Sequence, residues 1–562
     1  MATLTVGPNS TFRSIADAMA AGGAGDLILL EAGYSGESAT VIHTGMTITG
    51  DATSLGIVLT LAPGVTSVTL GGTAPMNVLD ASDGNMIVGN DGDNVVQVSG
   101  GADSVSGGMG RDRLIVDYSL ATGAVTGDAT SNFAEAGSGG RLVTVNGGFE
   151  DFTILTGSGA DTITVGSGEN EIRVGDGANT VTAGQGRNLI VGGIDADTIV
   201  AGDGGNRVEA GAGANTITTG GGADVIGTGN GADSITSGAG ADLITIAGGA
   251  DTVDAGAGND TLVVDYSAAV TAVTGGVVSG DLAGGYVGTI ADLSGANADF
   301  VGTENFRITT GSGNDAVIIG DGIDYLSGGA GADNLQSGGG NDEIFGNMGD
   351  DQIFGGAGSD AAYGGQGNDV IYGGTGAADT ADIGDFLFGN LGDDTIFGNA
   401  GADQIFGGGG MDTVYGGADD DVIYGGVGVG DPGDAADMLF GNLGNDTIFG
   451  NGGNDMISGG AGSDVIFGGQ GDDRIVGGAG ADLLHGNLGA DTFLFAQGEA
   501  GGDTVVDFAS GDVLRFEGYG PDATFAQIGD TNQWLIDSSF ADEIVTFTNN
   551  AAIDVTTDVI FG

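Results

Sequence analysis

From residue 310 to residue 494 the chain repeats a nine-residue unit, G-G-x-G-x-D-x-U-x with U a large apolar residue, almost without interruption. GGAGADNLQ (328–336), GNMGDDQIF (346–354), GGQGNDVIY (364–372) and GGQGDDRIV (468–476) show the pattern. Seven units fill 310–372, four fill 389–424 and six fill 441–494, with two longer units of sixteen residues, 373–388 and 425–440, between these blocks. All seventeen regular units carry Asp at position six: Asp315, Asp324, Asp333, Asp342, Asp351, Asp360, Asp369, Asp394, Asp403, Asp412, Asp421, Asp446, Asp455, Asp464, Asp473, Asp482 and Asp491. A fixed short period marks one supersecondary element stacked on the next. It also removes the disorder that 123 glycines in 562 residues would otherwise imply.

The parts of the unit define its chemistry. Glycines at positions one, two and four permit positive φ and a tight turn that aims its carbonyls inward. The carboxylate at position six adds a charged oxygen, and calcium, a hard cation, takes about six to eight such oxygens. Positions seven to nine read as a short strand whose middle residue points into a narrow core. Two units then make one coil, and stacked coils make two parallel sheets with calcium in the turns. The pattern resembles the nonapeptide of RTX proteins, which form parallel β-rolls that bind many calcium ions. The expected fold is all-β: an elongated parallel β-helix or β-roll solenoid with calcium-binding turns, a short N-terminal cap helix and a β-rich C-terminal cap.

Charge supports this reading and narrows the partners. The chain carries 77 acidic residues against 10 Lys+Arg, a net charge of −67. A compact body so charged repels itself, so counter-cations are needed to fold it. No basic patch can be built, which excludes nucleic acid and makes anionic membrane surfaces poor partners. Zero Cys excludes disulfides and thiol-ligated metals. No transmembrane span or cleavable signal peptide is visible, the apolar stretch 27–30 being too short, so no membrane insertion is expected. RTX proteins typically leave the cell by type I secretion with an uncleaved C-terminal signal, and the end TTDVIFG (556–562) is similar to one. The resemblance thus implies a secreted, extracellular or cell-surface protein with the type I apparatus as a partner.

A second, degraded array of twelve units runs from 156 to 263. Position six is Asp at Asp161, Asp197, Asp224, Asp233, Asp242, Asp251 and Asp260, and Asn at Asn170, Asn179, Asn188, Asn206 and Asn215. Asn keeps a ligand oxygen but loses the charge, so weaker or fewer calcium sites are expected near 165–218. Three further units occupy 89–115 and end in GGMGRDRLI with Asp112. Two similar inserts interrupt the arrays, VDYSLATGAVTG (116–127) returning through 149–161, and VDYSAAVTAVTG (264–275) returning through 303–315. In 11–37, Phe12, Ile15 and Met19 are spaced for one face of a short helix that Gly22 and Gly23 end, before a strand at 27–30. This segment resembles the cap of pectate-lyase-like right-handed β-helices, with strands at 46–49, 57–61 and 67–70 continuing the coils. Segments 503–520, 532–537 and 542–547 read as the opposite cap. The division expected is 1–88 (cap and plain rungs), 89–155 (short run and first insert), 156–263 (degenerate array), 264–309 (second insert), 310–494 (regular array) and 495–562 (C-terminal cap and secretion signal).

Position nine faces outward. In the later array it is almost continuously aromatic, from Phe345, Phe354, Tyr363 and Tyr372 to Phe440, Phe449 and Phe467; in the earlier array it is mostly Thr and other small or polar residues, as at Thr164, Thr182, Thr218, Thr236 and Thr245. The rings either stabilise neighbouring coils by stacking or form an apolar stripe that packs against another molecule or a sugar chain. The two long units, 373–388 and 425–440, lie within the ladder, placed to decorate its edge. Catalysis has little support: there is no Lys, His43 and His485 are the two histidines, and neither H-E-x-x-H nor G-x-S-x-G occurs. Three functions compete. The first is a non-enzymatic structural protein that folds on external calcium and self-associates into a surface layer, matrix or filament. The second is a calcium-dependent adhesin binding cell-surface or extracellular polysaccharide. The third is a polysaccharide lyase or epimerase acting around His43, Glu31 and Asp51.

Overall fold

The computed structural model describes residues 1–562 except 81–82, 138–139, 375–381, 427–434, 539–541 and 550–551. The middles of both long units, 375–381 and 427–434, therefore lie outside the described residues, as does the expectation that they decorate the ladder. The chain is nearly all β, with one α-helix among the described residues, Ile15–Ala21. It divides into two compact units, Met1–Leu262 with Asn297–Thr303, and Val263–Ala296 with Glu304–Gly562.

The first unit is a parallel β-solenoid. Thr3–Val6, Leu27–Leu30, Met46–Gly50 and Ser67–Gly72 pair in parallel succession. Ser38–Val41, Ile57–Leu61 and Met76–Leu79 do the same in a second sheet. The helix packs on the first strands and buries Ile15, Ala18 and Met19. Ser14 caps it by accepting from the Asp17 N–H, and the Glu37 carboxylate accepts from the Ile15 and Ala16 N–H groups. Phe12, expected on its face, precedes it and forms a bridge to Val6; the Ser14 cap sets the helix start after Phe12.

In the degenerate array the register advances by one coil of eighteen residues: Thr162–Thr164 lies on Thr180–Ala183, which lies on Thr198–Ala201. The first insert is an antiparallel meander, Val125–Asp128, Asn132–Glu135 and Leu142–Val145. Its last strand continues Ala102–Ser106 and its first begins the array at Thr162–Thr164, so the excursion splices two stacks of coils.

The second unit is also a parallel β-solenoid. A hairpin, Val273–Asp281 with Gly285–Asp292, leads into Ala316–Ile318 and Asn334–Gly339. Above these, six-residue strands such as Gln352–Ala357 and Thr395–Ala400 span positions seven to nine and continue through one to three of the following unit. They are twice the three residues expected, because the glycines that open each unit continue the ladder, Gly338 onto Gly356 for example. Position eight forms the core, with Ile344, Ile353, Ile371, Ile396, Ile405 and Ile423 fully buried. Burying each such side chain contributes about 1.5–3 kcal/mol. Beyond the array, Val513–Glu517 continues one sheet, while Thr524–Gln527, Gln533–Asp537 and Glu543–Phe547 form an antiparallel meander. Phe516, Phe525, Trp534 and Phe547 pack together there.

Candidate metal centre

Stacking the units places their sixth residues in columns along each solenoid. In every regular coil one carboxylate oxygen, Oδ1, accepts from a backbone N–H of the coil before. Asp315 N–H donates to Asp333, Asp333 N–H to Asp351, and Asp351 N–H to Asp369, each at 2.8 Å. The column crosses the long units without a break: Asp360 N–H donates to Asp385 and Asp412 N–H to Asp437, again at 2.8 Å. The carboxylates are almost wholly buried, Asp351 being 2% exposed and Asp403 1%.

The second oxygen, Oδ2, is different. In Asp333, Asp351, Asp360, Asp369, Asp385, Asp394, Asp403, Asp421, Asp446, Asp464, Asp473 and Asp482 it is buried with no hydrogen-bond partner. It points at the glycine opening its own unit: a Cβ on Gly346, Gly398 or Gly459 would collide with Oδ2 of Asp351, Asp403 or Asp464. The same Cβ would meet the carbonyl oxygen of the position-one glycine one coil on, Gly364, Gly416 or Gly477. Each turn therefore gathers a buried carboxylate oxygen and glycine carbonyls, all acceptors, with no donor between them. A buried group of acceptors is costly unless something positive lies among them, and oxygen donors of this kind suit calcium.

This geometry corrects the role of one glycine. Positions two and four do adopt the left-handed region, as at Gly356 (φ 114°) and Gly358 (φ 128°). Position one does not; there glycine is required because a Cβ would fill the space the carboxylate points into. Replacing Gly398 by Ala is expected to raise the calcium concentration at the folding midpoint and to cost about 1–3 kcal/mol, typical of overpacking. Gly166→Ala, where a Cβ meets nothing within 4 Å, should leave the midpoint unchanged. Calcium titrations followed by circular dichroism check both.

Burial also sets the titration of the column. Desolvation pushes Asp333 up to about 6, Asp351 to about 7, and Asp403 and Asp421 to about 8, against the partial relief of one backbone N–H each; like charges of neighbouring carboxylates add to the rise in all four. Asp385 reaches about 9, raised by burial and then by the nearby Asp382, Asp360 and Asp403 carboxylates. Among the described residues no cluster of three or more His, Asp or Glu side chains converges on one point. The carboxylates enter the turns singly and the backbone supplies the remaining oxygens.

The structure places all of the expected aspartates in this column geometry. Asp112 and the earlier Asp161, Asp197, Asp224, Asp233, Asp242, Asp251 and Asp260 accept from the preceding coil in the same way. Sequence reading missed Asp385 and Asp437, although the long units end in DFLF and DMLF, the D-x-U-x of every other unit. It also missed Asp103, at position six of VSGGADSVS, and Asp503 and Asp512, which extend the columns past the array. Of the candidate catalytic residues His43, Glu31 and Asp51, Glu31 accepts from Ser10 and Asn9 and Asp51 from Thr53; the other histidine, His485, stacks on Phe467.

The RTX calcium-binding nonapeptide repeat matches at 80–114, through 155–262 in overlapping stretches, at 318–377 and 381–429, and through 431–503. These matches cover more than half of the chain, which belongs to the RTX calcium-binding repeat family. No curated protein matches in sequence. Among solved structures, the extracellular lipase LipA from Serratia marcescens is similar at 16% identity, over 67% of this chain and 40% of the lipase chain, with a TM-score of 0.12. The match thus spans less than half of the lipase. Calcium is the ion of the repeats, in many copies.

Proposed function

We propose that this is a secreted, non-enzymatic structural protein that folds on external calcium and self-associates at the cell surface. The carrying observation is the column of buried carboxylate oxygens lacking a donor. Where calcium is scarce the carboxylates repel and the array stays extended, a form suited to a type I secretion channel. Outside, each bound ion neutralises charge, and its binding free energy becomes folding free energy.

The outer face favours self-association over glycan binding. Along one sheet Phe345, Tyr363, Phe388, Phe406, Tyr424, Phe449 and Phe467 stack at centroid spacings of 4.8–4.9 Å and within 6° of parallel. Along the other, Phe354, Tyr372, Phe397, Tyr415 and Phe440 stack at 4.8–5.0 Å and within 10° of parallel. That spacing is the distance between neighbouring strands, so each ring face is covered by the next ring and only edges remain outward. A sugar needs an open ring face to stack on; an apolar partner surface does not. Beside the rings, Met348, Leu391, Leu443 and Leu488 are more than half exposed, extending each ladder into an apolar stripe.

Electron microscopy of the purified chain with and without calcium tests this. Ordered sheets or filaments that form only with calcium are the expected result. Calcium-loaded monomers that stay dispersed while binding a polysaccharide panel would replace it with the adhesin reading.

A further inference from the structure

Five of the six turns of residues 165–218 differ from the turns just described in the sense of their hydrogen bonds; the sixth carries Asp197, whose Oδ2 accepts from the Gly193 N–H. Asn170, Asn179, Asn188, Asn206 and Asn215 are buried, 1–3% exposed. Their oxygens do what the aspartate Oδ1 does: Asn179, Asn206 and Asn215 accept from the backbone of the coil before. Their nitrogens stand where the aspartates carry the unpartnered Oδ2, and they donate. Asn179 Nδ2 donates to the carbonyls of Gly175 and Gly177, at 3.2 and 2.7 Å. Asn188 donates to Gly184 and Gly186, Asn206 to Gly202 and Gly204, and Asn215 to Gly211 and Gly213. These are positions two and four of each residue's own unit, the glycines that make the turn.

Hydroxyls at position one donate in the flanking units, outside the Asn turns. Thr156 donates to the carbonyl of Val174, Thr219 to Ser237 and Ser237 to Ala255. These are position-one carbonyls of the coil that follows, reached from units whose sixth residue is Asp161, Asp224 or Asp242, and the later array does the same at Thr310 and Ser337; the closure of 165–218 therefore rests on the Asn amides. An amide with two donors can saturate a turn of carbonyls, whereas an ionised carboxylate brings none. The Asn substitutions also remove five charges from a buried column.

We infer that the five Asn turns of 165–218 are closed by the chain's own amides in place of calcium, so that this stretch, with the lone Asp197 turn between them, folds as a calcium-independent block within the first unit. It rests on the reading that the aspartate turns take calcium, and it turns the degenerate array from a poor copy of the calcium sites into a different device. In chelator this run of coils should stay folded while the aspartate turns of 310–494 do not.

Hydrogen–deuterium exchange on the full chain, in calcium and in excess chelator, tests it. Peptides within 165–218 should exchange at least about tenfold more slowly than an unfolded chain in both conditions, while peptides within 310–494 should be protected only with calcium. Exchange of 165–218 at unfolded rates in chelator, with protection returning alongside 310–494 as calcium is added, overturns the inference. Protection of 310–494 in chelator would instead overturn the calcium-gated reading and leave the amide closure standing. The double variant Asn188→Asp, Asn206→Asp should make 165–218 sensitive to chelator and rescuable by calcium. Unchanged protection of that variant in chelator would show that the amides are not what closes the turns.

Discussion

Stripping calcium at pH 8 is expected to abolish most of the β-structure of residues 310–494, and millimolar calcium to restore it. The magnitudes decide this. Each pKa unit corresponds to about 1.4 kcal/mol of differential interaction, and burial raises Asp333, Asp351, Asp403 and Asp421 from 3.8 to between about 6 and about 8. Holding even a few of these ionised and unaccompanied consumes the about 5–15 kcal/mol that stabilises an ordinary domain. The array stacks more than a dozen. Calcium reverses the sign, since an ion present at a hundredfold excess over its dissociation constant contributes about 2.7 kcal/mol per site. Circular dichroism during a chelator titration should show a cooperative loss of strand signal. A fully folded array in excess chelator would refute the mechanism.

Most of this fold was legible because it repeats. A nine-residue period with an apolar eighth position leaves few alternatives to stacked coils, and Ile353 or Ile396 in the core follows from alternation alone. The helix near residue 15, its Gly22 terminus and the strands at 46, 57 and 67 were legible for the same local reasons. What stayed hidden depended on neighbours a coil away. Gly346 needs no Cβ because Asp351 Oδ2 and the Gly364 carbonyl occupy that space, a contact that no turn propensity encodes. The Asn side chain keeps a ligand oxygen and loses a charge, which from sequence gives weaker or fewer sites; the direction of its nitrogen, toward Gly carbonyls two and four residues before it, shows only in the folded turn. Asp385 and Asp437 were overlooked because sixteen-residue units hide the phase of the nine. Spacing along the sequence changes there while position within the coil does not.

Acid should stand in for calcium. The aspartates of the column have folded-state pKa values raised from 3.8 to about 6 at Asp333 and Asp446, about 7 at Asp351 and Asp394, and about 8 at Asp403 and Asp421. Between those values and 3.8 the calcium-free folded chain binds more protons than the unfolded chain, so its stability falls as pH rises through about 6 to 8. In calcium-depleted buffer, strand signal over 310–494 should therefore grow as pH is lowered from 8 to 5, where the chain is still above its isoelectric point of about 4.1. With calcium present the dependence reverses, because protons compete with the ion for the same carboxylates: the calcium midpoint should move to higher concentration as pH falls. The two slopes must have opposite signs if one set of buried carboxylates governs both. Parallel slopes in the paired titrations, or strand signal that declines on acidification without calcium, would place the calcium dependence somewhere other than this column.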